Sequence, residues 1–190
     1  MKETTIETKR VFWGKLINLD VVDIQLENGK TSTREIVRHP GAAAIVIYNM
    51  TTKKYVFVQQ FRKAIERDVI EIVAGGLEKN EHPAVCAVRE TKEETGYDTK
   101  EIVSLGLIHS SPGYSDEPLH LFFGRVEGKP GLKRLEDDEK VSVLNFSSTE
   151  INDMIKYGMI FDSKTIAAWY KTILMIQDGY DLEKPFEGKQ

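Results

Sequence analysis

Glu90, Glu93 and Glu94 are the residues whose type and spacing most invite chemistry. They lie in the stretch Gly75 to Tyr97, GGLEKNEHPAVCAVRETKEETGY. The pattern predicts a helix over Pro83 to Thr95, with proline suited to the first turn and Gly96 to the stop. At roughly 100° per residue, the three carboxylates then occupy neighbouring positions on one face. Like charges at that spacing destabilise a helix by about a few tenths of a kcal/mol per pair, so a positive partner is expected. Hard oxygen donors gathered in this way suit Mg²⁺ or Mn²⁺. Such ions can bridge phosphate oxygens, acidify a bound water and stabilise a leaving phosphate. Taken alone, the acidic run with Lys92 inside it reads more readily as a solvated helix face.

The elements that must position this helix are those of an α/β domain. Buried strands are expected at Ala42 to Tyr48, Tyr55 to Gln59 and Val69 to Val73, the last ending abruptly at Ala74-Gly75-Gly76. Further strands are expected near Ile102–Ile108, Leu119–Val126 and Val141–Phe146, with a charged loop from Leu132 to Lys140 before the last. Two helices follow, Ser148 to Tyr157 and Ser163 to about Gln177. In the second, Ile166, Trp169, Tyr170, Ile173 and Leu174 fall at helical spacing and are expected to face the core. The first forty residues read as a β-meander: Leu19, Val21, Ile24 and Leu26 run to the Asn28-Gly29 turn signal, and Thr31 to Val37 returns. That segment has few apolar residues to bury by itself, so it should pack on the main domain or on a second subunit. A mixed sheet between helices is the natural architecture.

Composition narrows the class. The chain has 190 residues, 41% of them hydrophobic, with 26 basic against 30 acidic residues and a net charge of -4. That balance argues against a nucleic-acid coat. Cys86 is the single cysteine, which excludes an intramolecular disulfide and fits a reducing compartment. Its small neighbours suggest a core position. No signal peptide and no run long enough to span a bilayer is read, so the expected location is cytoplasmic, without a membrane partner. His39, His82, His109 and His120 lack metal-ligand spacing and are expected to be structural, with His82 facing solvent.

The spacing within the acidic stretch is specific. Gly75, five residues, Glu81, seven residues, then Arg89-Glu90-Thr91-Lys92-Glu93-Glu94-Thr95-Gly96-Tyr97 resembles the Nudix box, the loop-helix-loop signature of the Nudix hydrolases. Every glycine, glutamate and arginine of the signature is present. Thr91 departs from a leucine-like slot and Tyr97 is aromatic. The resemblance implies the Nudix fold, a mixed sheet sandwiched between helices (α/β/α) with the N-terminal antiparallel meander appended. It implies that Glu90, Glu94 and the carbonyl of Ala74 bind the metal, with Glu93 beside them as a catalytic carboxylate. Gly75, Glu81, Arg89 and Gly96 would support the box, Arg89 by pairing with the glutamates.

Over about residues 10 to 178 the chain is most similar to the ADP-ribose pyrophosphatases and the related GDP-mannose and nucleoside-diphosphate-sugar hydrolases. The resemblance rests on Thr33-Arg34-Glu35-Ile36-Val37, Gln59-Gln60-Phe61-Arg62, Glu71-Ile72-Val73-Ala74-Gly75 and Ser111-Pro112-Gly113-Tyr114-Ser115-Asp116-Glu117. It implies that Arg34 and Glu35 touch the nucleoside end, Arg62 holds the diphosphate and Glu117 reaches the ribose or metal region. A guanidinium suits phosphate because it forms paired hydrogen bonds to its oxygens. A base for the attacking water would come from the acidic loop Glu136, Asp137, Asp138, Glu139, with Glu139 and Asp137 favoured. The expected organisation is residues 1–40 as a dimerisation element, 41–180 as the hydrolase domain and 181–190 as a tail. The expected protein is a Mg²⁺-dependent homodimer (Mn²⁺ possible) that hydrolyses ADP-ribose or a related nucleotide sugar to a nucleoside monophosphate and a sugar phosphate. The alternatives are a GDP-mannose-type hydrolase and a non-catalytic nucleotide sensor.

Overall fold

The structure, a computed structural model, describes residues 2–135 and 140–186. It separates into two compact units. One takes the chain up to Gly41 together with Ile108–Leu119, and the other takes Ala42–Leu107 and the chain from His120 onward.

The first unit is an antiparallel sheet in the order β1 (Glu3–Trp13), β2 (Asn18–Leu26), β3 (Thr31–Arg38). Gly29 closes the β2–β3 turn at φ 80°, a left-handed conformation that glycine adopts without steric cost. The strand β1 carries no alternation of burial that sequence could have revealed, because nearly all of it is exposed. Asp116 and Tyr114, from the Ile108–Leu119 segment, bond to β3: the Val37 N–H donates to the Tyr114 carbonyl at 2.7 Å, and the Asp116 N–H to the Val37 carbonyl at 3.1 Å.

The second unit is built on a seven-stranded sheet. Its order is β10 (Ser142–Phe146), β5 (Lys54–Arg62), β4 (Ala42–Asn49), β9 (Leu119–Val126), β8 (Glu101–Ile108). The antiparallel pairing of β4 with β5 covers Ile47–Asn49 against Lys54–Val56, and beyond it the two strands part into a fork. The fork is filled by β6 (Arg67–Glu71) on β5 and β7 (Val73–Gly76) on β4. The single strand expected over Val69 to Val73 is therefore two strands that break at Ile72. Ala74, Gly75 and Gly76 are not its abrupt end: their backbone pairs with Ala44, Ala43 and Ala42, which needs no side chain.

Every residue of β4 is buried, because both sheet faces are covered. Ala43, Ile45, Ile47, Val56 and Val58 pack with Cys86 and Ala87 of the helix α1 (Pro83–Glu90). On the opposite face Tyr55 meets Trp169 of α3 (Ser163–Gln177) edge to face, with ring centroids 4.7 Å apart. The helix α2 (Ser148–Lys156) begins with a capping box in which Ser147 and Glu150 satisfy each other's backbone N–H groups. The core stripe of α3 differs from the expected one: Thr165, Ala168, Trp169 and Thr172 are buried, whereas Tyr170 and Leu174 are 51% and 58% exposed. Small residues on the inner face let the helix backbone approach the sheet, which leaves Ile166 and Ile173 half-buried at its flank and Tyr170 and Leu174 outside. Among the described residues no helix is long and apolar enough to cross a membrane.

Candidate active site

Strand β7 and helix α1 bring the box together. His82 caps α1, its Nδ1 accepting from the Ala84 N–H at 3.3 Å, while its side chain faces solvent as expected. A Cβ placed on Gly75 would lie 1.8 Å from Glu90 Oε1, so only glycine lets this carboxylate cross β7 beside Ala74. Cys86 is fully buried, its thiol directed at the Gly75 and Gly76 carbonyls, and burial pushes it up to about 12.

The positive partner that the glutamates require is Arg89. Its guanidinium donates to both Glu81 oxygens (2.8 and 2.9 Å), to Glu90 Oε1 at 2.6 Å, to Glu93 Oε2 at 3.0 Å and to the Gly76 carbonyl at 3.3 Å. Hydrogen bonds from Arg89 hold the Glu81 carboxyl down to about 2, and the same bonds raise the Arg89 pKa. Glu81 thus ties the loop before α1 to the helix, and its second tie is the Glu78 N–H, which donates to Glu81 Oε2 at 3.0 Å.

After Glu90 the helix widens into a π turn over Thr91–Thr95, a local irregularity often found where helices serve function. Thr91 fills the leucine-like slot without leaving a buried polar group unsatisfied, since its hydroxyl donates to the Ala87 carbonyl at 2.7 Å. Thr95 bonds back to the Thr91 carbonyl in the same way. Glu94, on this turn, is 3% exposed. Gly96 ends the turn at φ 78°, and the loop after β9 docks there: the Gly131 N–H donates to the Gly96 carbonyl at 2.9 Å, and the Arg134 N–H to the Glu93 carbonyl at 3.0 Å.

Across the fork lies a cationic group. Arg62, at the end of β5, makes a paired contact with the buried Glu71 on β6 (2.8 and 2.9 Å). Burial works to lower the Arg62 pKa, but the Glu71 bond and charge outweigh it and raise it. Lys164, at the start of α3, binds Glu71 from the other side and Asp162 at 3.0 Å. These residues, with Ile65 and Phe161, line a cavity of about 370 Å³. Sequence reasoning found Arg62 but missed its partner Glu71 and the second cation on that carboxylate, Lys164. The signal available was Lys164 in the first turn of α3, next to Asp162, the residue that caps it.

Arg34, Glu35 and Glu117 belong to the first unit. Arg34 pairs with Glu3 at 2.5 Å and with the Thr33 carbonyl at 3.0 Å. Glu35 is exposed on β3 opposite Val21. Glu117 lies 3.4 Å from His39. Nearby, hydrogen bonds from Arg10 and Arg38 hold the buried Asp20 at about 2. Asp137 and Glu139 lie outside the described residues.

The second unit therefore gathers Glu81, Glu90 and Glu93 around the Arg89 guanidinium, with Gly75 against Glu90, Ala74 next in the strand and Glu94 on the following turn. Among the described residues no three carboxylate, imidazole or thiol side chains are already arranged around a common metal position, and Glu81, Glu90 and Glu93 turn oxygens toward Arg89 instead. The donor set fits a hard divalent cation: carboxylate oxygens, and a glycine that brings one of them against the β7 backbone.

A forked sheet with such a glutamate helix is the Nudix arrangement, and residues 37–169 match the NUDIX domain family, so the chain belongs to that family. It is a Nudix hydrolase, a class that generally uses divalent metal ions. The chain is 42% identical over 168 residues to the methanol dehydrogenase activator of Bacillus methanolicus, covering 88% of this chain and 90% of the relative. It is 40% identical over 169 residues to the ADP-ribose pyrophosphatase of Bacillus subtilis, covering 88% and 91%. The GDP-mannose pyrophosphatase of Salmonella typhimurium is 32% identical over 154 residues, covering 76% and 80%. A crystal structure of an ADP compounds hydrolase shares the fold, with a TM-score of 0.79 at 17% identity over 94% of this chain and 96% of that one.

Proposed function

We propose that the protein hydrolyses the pyrophosphate of a nucleoside diphosphate sugar, ADP-ribose first, to a nucleoside monophosphate and a sugar phosphate. The observation that carries this reading is the carboxylate cluster on Arg89, seated against Gly75. The name of the Bacillus subtilis relative supports the substrate class. Glu90, Glu94 and the Ala74 carbonyl would hold Mg²⁺ (or Mn²⁺), with Glu93 alongside. When bound, the cation neutralises phosphate oxygens and acidifies the attacking water. Arg89 orients Glu90 and Glu93, and Arg62, fixed by Glu71, binds the diphosphate through paired hydrogen bonds. A carboxylate of the acidic loop, Glu139 or Asp137, takes the proton of the water as its oxygen bonds to phosphorus and the bridging P–O bond breaks. Arg34, Glu35 and Glu117 are assigned to substrate recognition.

The organisation proposed is residues 1–40 as a dimerisation element, 41–180 as the catalytic domain and 181–190 as a tail, in a cytoplasmic homodimer that does not bind nucleic acid. Dimerisation is supported by the apolar residues that β1 leaves to solvent, Ile6, Val11, Phe12 and Trp13. Two other readings have a footing. The Salmonella relative's name supports GDP-mannose, and the Bacillus methanolicus relative's name, an activator of a dehydrogenase, is in keeping with a non-catalytic nucleotide-sensing module.

The test is to incubate the protein with Mg²⁺ and either ADP-ribose or GDP-mannose, following nucleoside monophosphate by chromatography, with Glu94→Gln as control. AMP release lost in the variant supports the first reading, and preferential GMP release moves the specificity. Binding of either nucleotide without turnover would favour the sensor.

A further inference from the structure

Ile72 is the residue at which the chain changes partner inside the forked sheet. Glu71 before it pairs with Val58 on β5, and Val73 after it pairs with Ile45 on β4. Ile72 is fully buried, so its N–H has no access to water and must find an acceptor in the protein. That acceptor is the hydroxyl of Thr165, at 3.0 Å. Thr165 is itself fully buried, and its hydroxyl donates to Asp162 Oδ2 at 2.6 Å, which fixes the direction of its lone pairs. The start of α3 therefore reaches the fork twice in successive residues. Lys164 holds Glu71, on the arm that carries Arg62, and Thr165 holds the apex from which the Ala74 arm departs.

We propose that Thr165 is a positioning residue for the metal-binding arm: its hydroxyl sets the turn of the backbone at Ile72, and so the place of the Ala74 carbonyl relative to Glu90. The proposal rests on the functional reading above, in which that carbonyl and that carboxylate hold the cation. Thr165 touches neither substrate nor metal ligand. It acts through two peptide units of β7, much as outer groups around a metal centre orient the ligands themselves.

The experiment uses three full-length proteins: unaltered, Thr165→Val and Thr165→Ser. Valine keeps the shape and removes the hydroxyl, and serine restores it. Mn²⁺ binding is titrated by electron paramagnetic resonance without substrate, and exchange of the Ile72 amide is followed by NMR in the metal-free protein. The expected result for Thr165→Val is a roughly 10- to 100-fold weaker Mn²⁺ Kd, faster Ile72 exchange, and recovery of both in Thr165→Ser. A purely structural threonine would lower Tm and leave the Kd alone. Unchanged Mn²⁺ affinity in a folded Thr165→Val protein therefore overturns the proposal, as does a serine variant that recovers neither property. If the valine variant does not fold, Thr165→Ala, which puts no second methyl in the site, takes its place against serine with the same outcomes. Failure of the unaltered protein to bind Mn²⁺ sinks the functional reading and the proposal with it, whereas normal binding there with no effect of the variant sinks the proposal alone.

Discussion

Replacing Arg89 by methionine keeps most of the side-chain volume and removes the one cation that three carboxylates share. In the native protein the guanidinium spends its donors on Glu81, Glu90 and Glu93, whose side chains are 9%, 14% and 34% exposed. Removing one partner of a buried charge cluster costs about 3–5 kcal/mol, and the low end applies because Arg89 is itself a quarter exposed. At about 2–4 °C per kcal/mol for a chain of this size, Tm at pH 7.5 should fall by about 6–12 °C. The pH dependence separates this cause from simple loss of packing. The native Glu81 carboxyl is held at about 2, so its contribution is complete above its unfolded value and lost only as pH falls through about 2. Without Arg89 the carboxylates repel one another, their folded pKa values rise above the unfolded ones, and protonation relieves the folded state. The variant should therefore gain stability between pH 7.5 and pH 5 while the native protein stays level, and the gap in Tm should narrow. Thermal unfolding followed by circular dichroism in the presence of a chelator measures both curves. A loss of less than about 2 °C at pH 7.5, or an equal loss at both pH values, would refute the reasoning.

Other expectations follow from single contacts. Gly75→Ala forces Glu90 off β7, since the new Cβ would lie 1.8 Å from its oxygen, and a displacement of that size should lower kcat about 100-fold while the circular dichroism spectrum persists. Asp20, held at about 2 by Arg10 and Arg38, stabilises the N-terminal sheet above its unfolded pKa and ceases to as pH falls through about 2; in Asp20→Asn the urea midpoint should lose that acid-side dependence. Trp13→Glu puts a charge on the most exposed aromatic of β1, and size-exclusion chromatography should show the proposed dimer giving way to monomer. Arg125, 2% exposed, donates to the Leu182 and Lys184 carbonyls and stacks on Phe186, so Arg125→Ala should open the segment 180–186 to limited proteolysis.

How far the sequence reached depended on whether a feature is local. Pro83, His82 and Gly96 bound the box helix by backbone chemistry that involves a few adjacent residues, and the helix begins and ends where that chemistry predicts. The spacing of Glu90, Glu93 and Glu94 specified a shared helical face in need of a positive partner, and Arg89 of the same motif bonds to Glu90 and Glu93, with Glu81 from the loop as a third carboxylate. In the α3 stripe Trp169 is buried as expected, but Tyr170 and Leu174 are not, because periodicity marks the apolar face without saying how near the neighbouring layer lies, and here Ala168 and the threonines allow the closer approach. The strand β1 was legible only as part of the N-terminal meander, without bounds of its own, for a related reason: exposed residues carry no record of which edge they hydrogen-bond.

By itself, then, the sequence determined the class of chemistry, since the ligand-type carboxylates, their arginine and the glycine that admits them stand within one short, self-organising stretch. Only the tertiary structure decided how that stretch is held. The fork between β4 and β5, the break at Ile72, and the pairing of Glu71 with both Arg62 and Lys164 join residues up to ninety-three positions apart. No local pattern encodes such contacts, because each depends on a buried polar group finding its partner only after the sheet and α3 have packed.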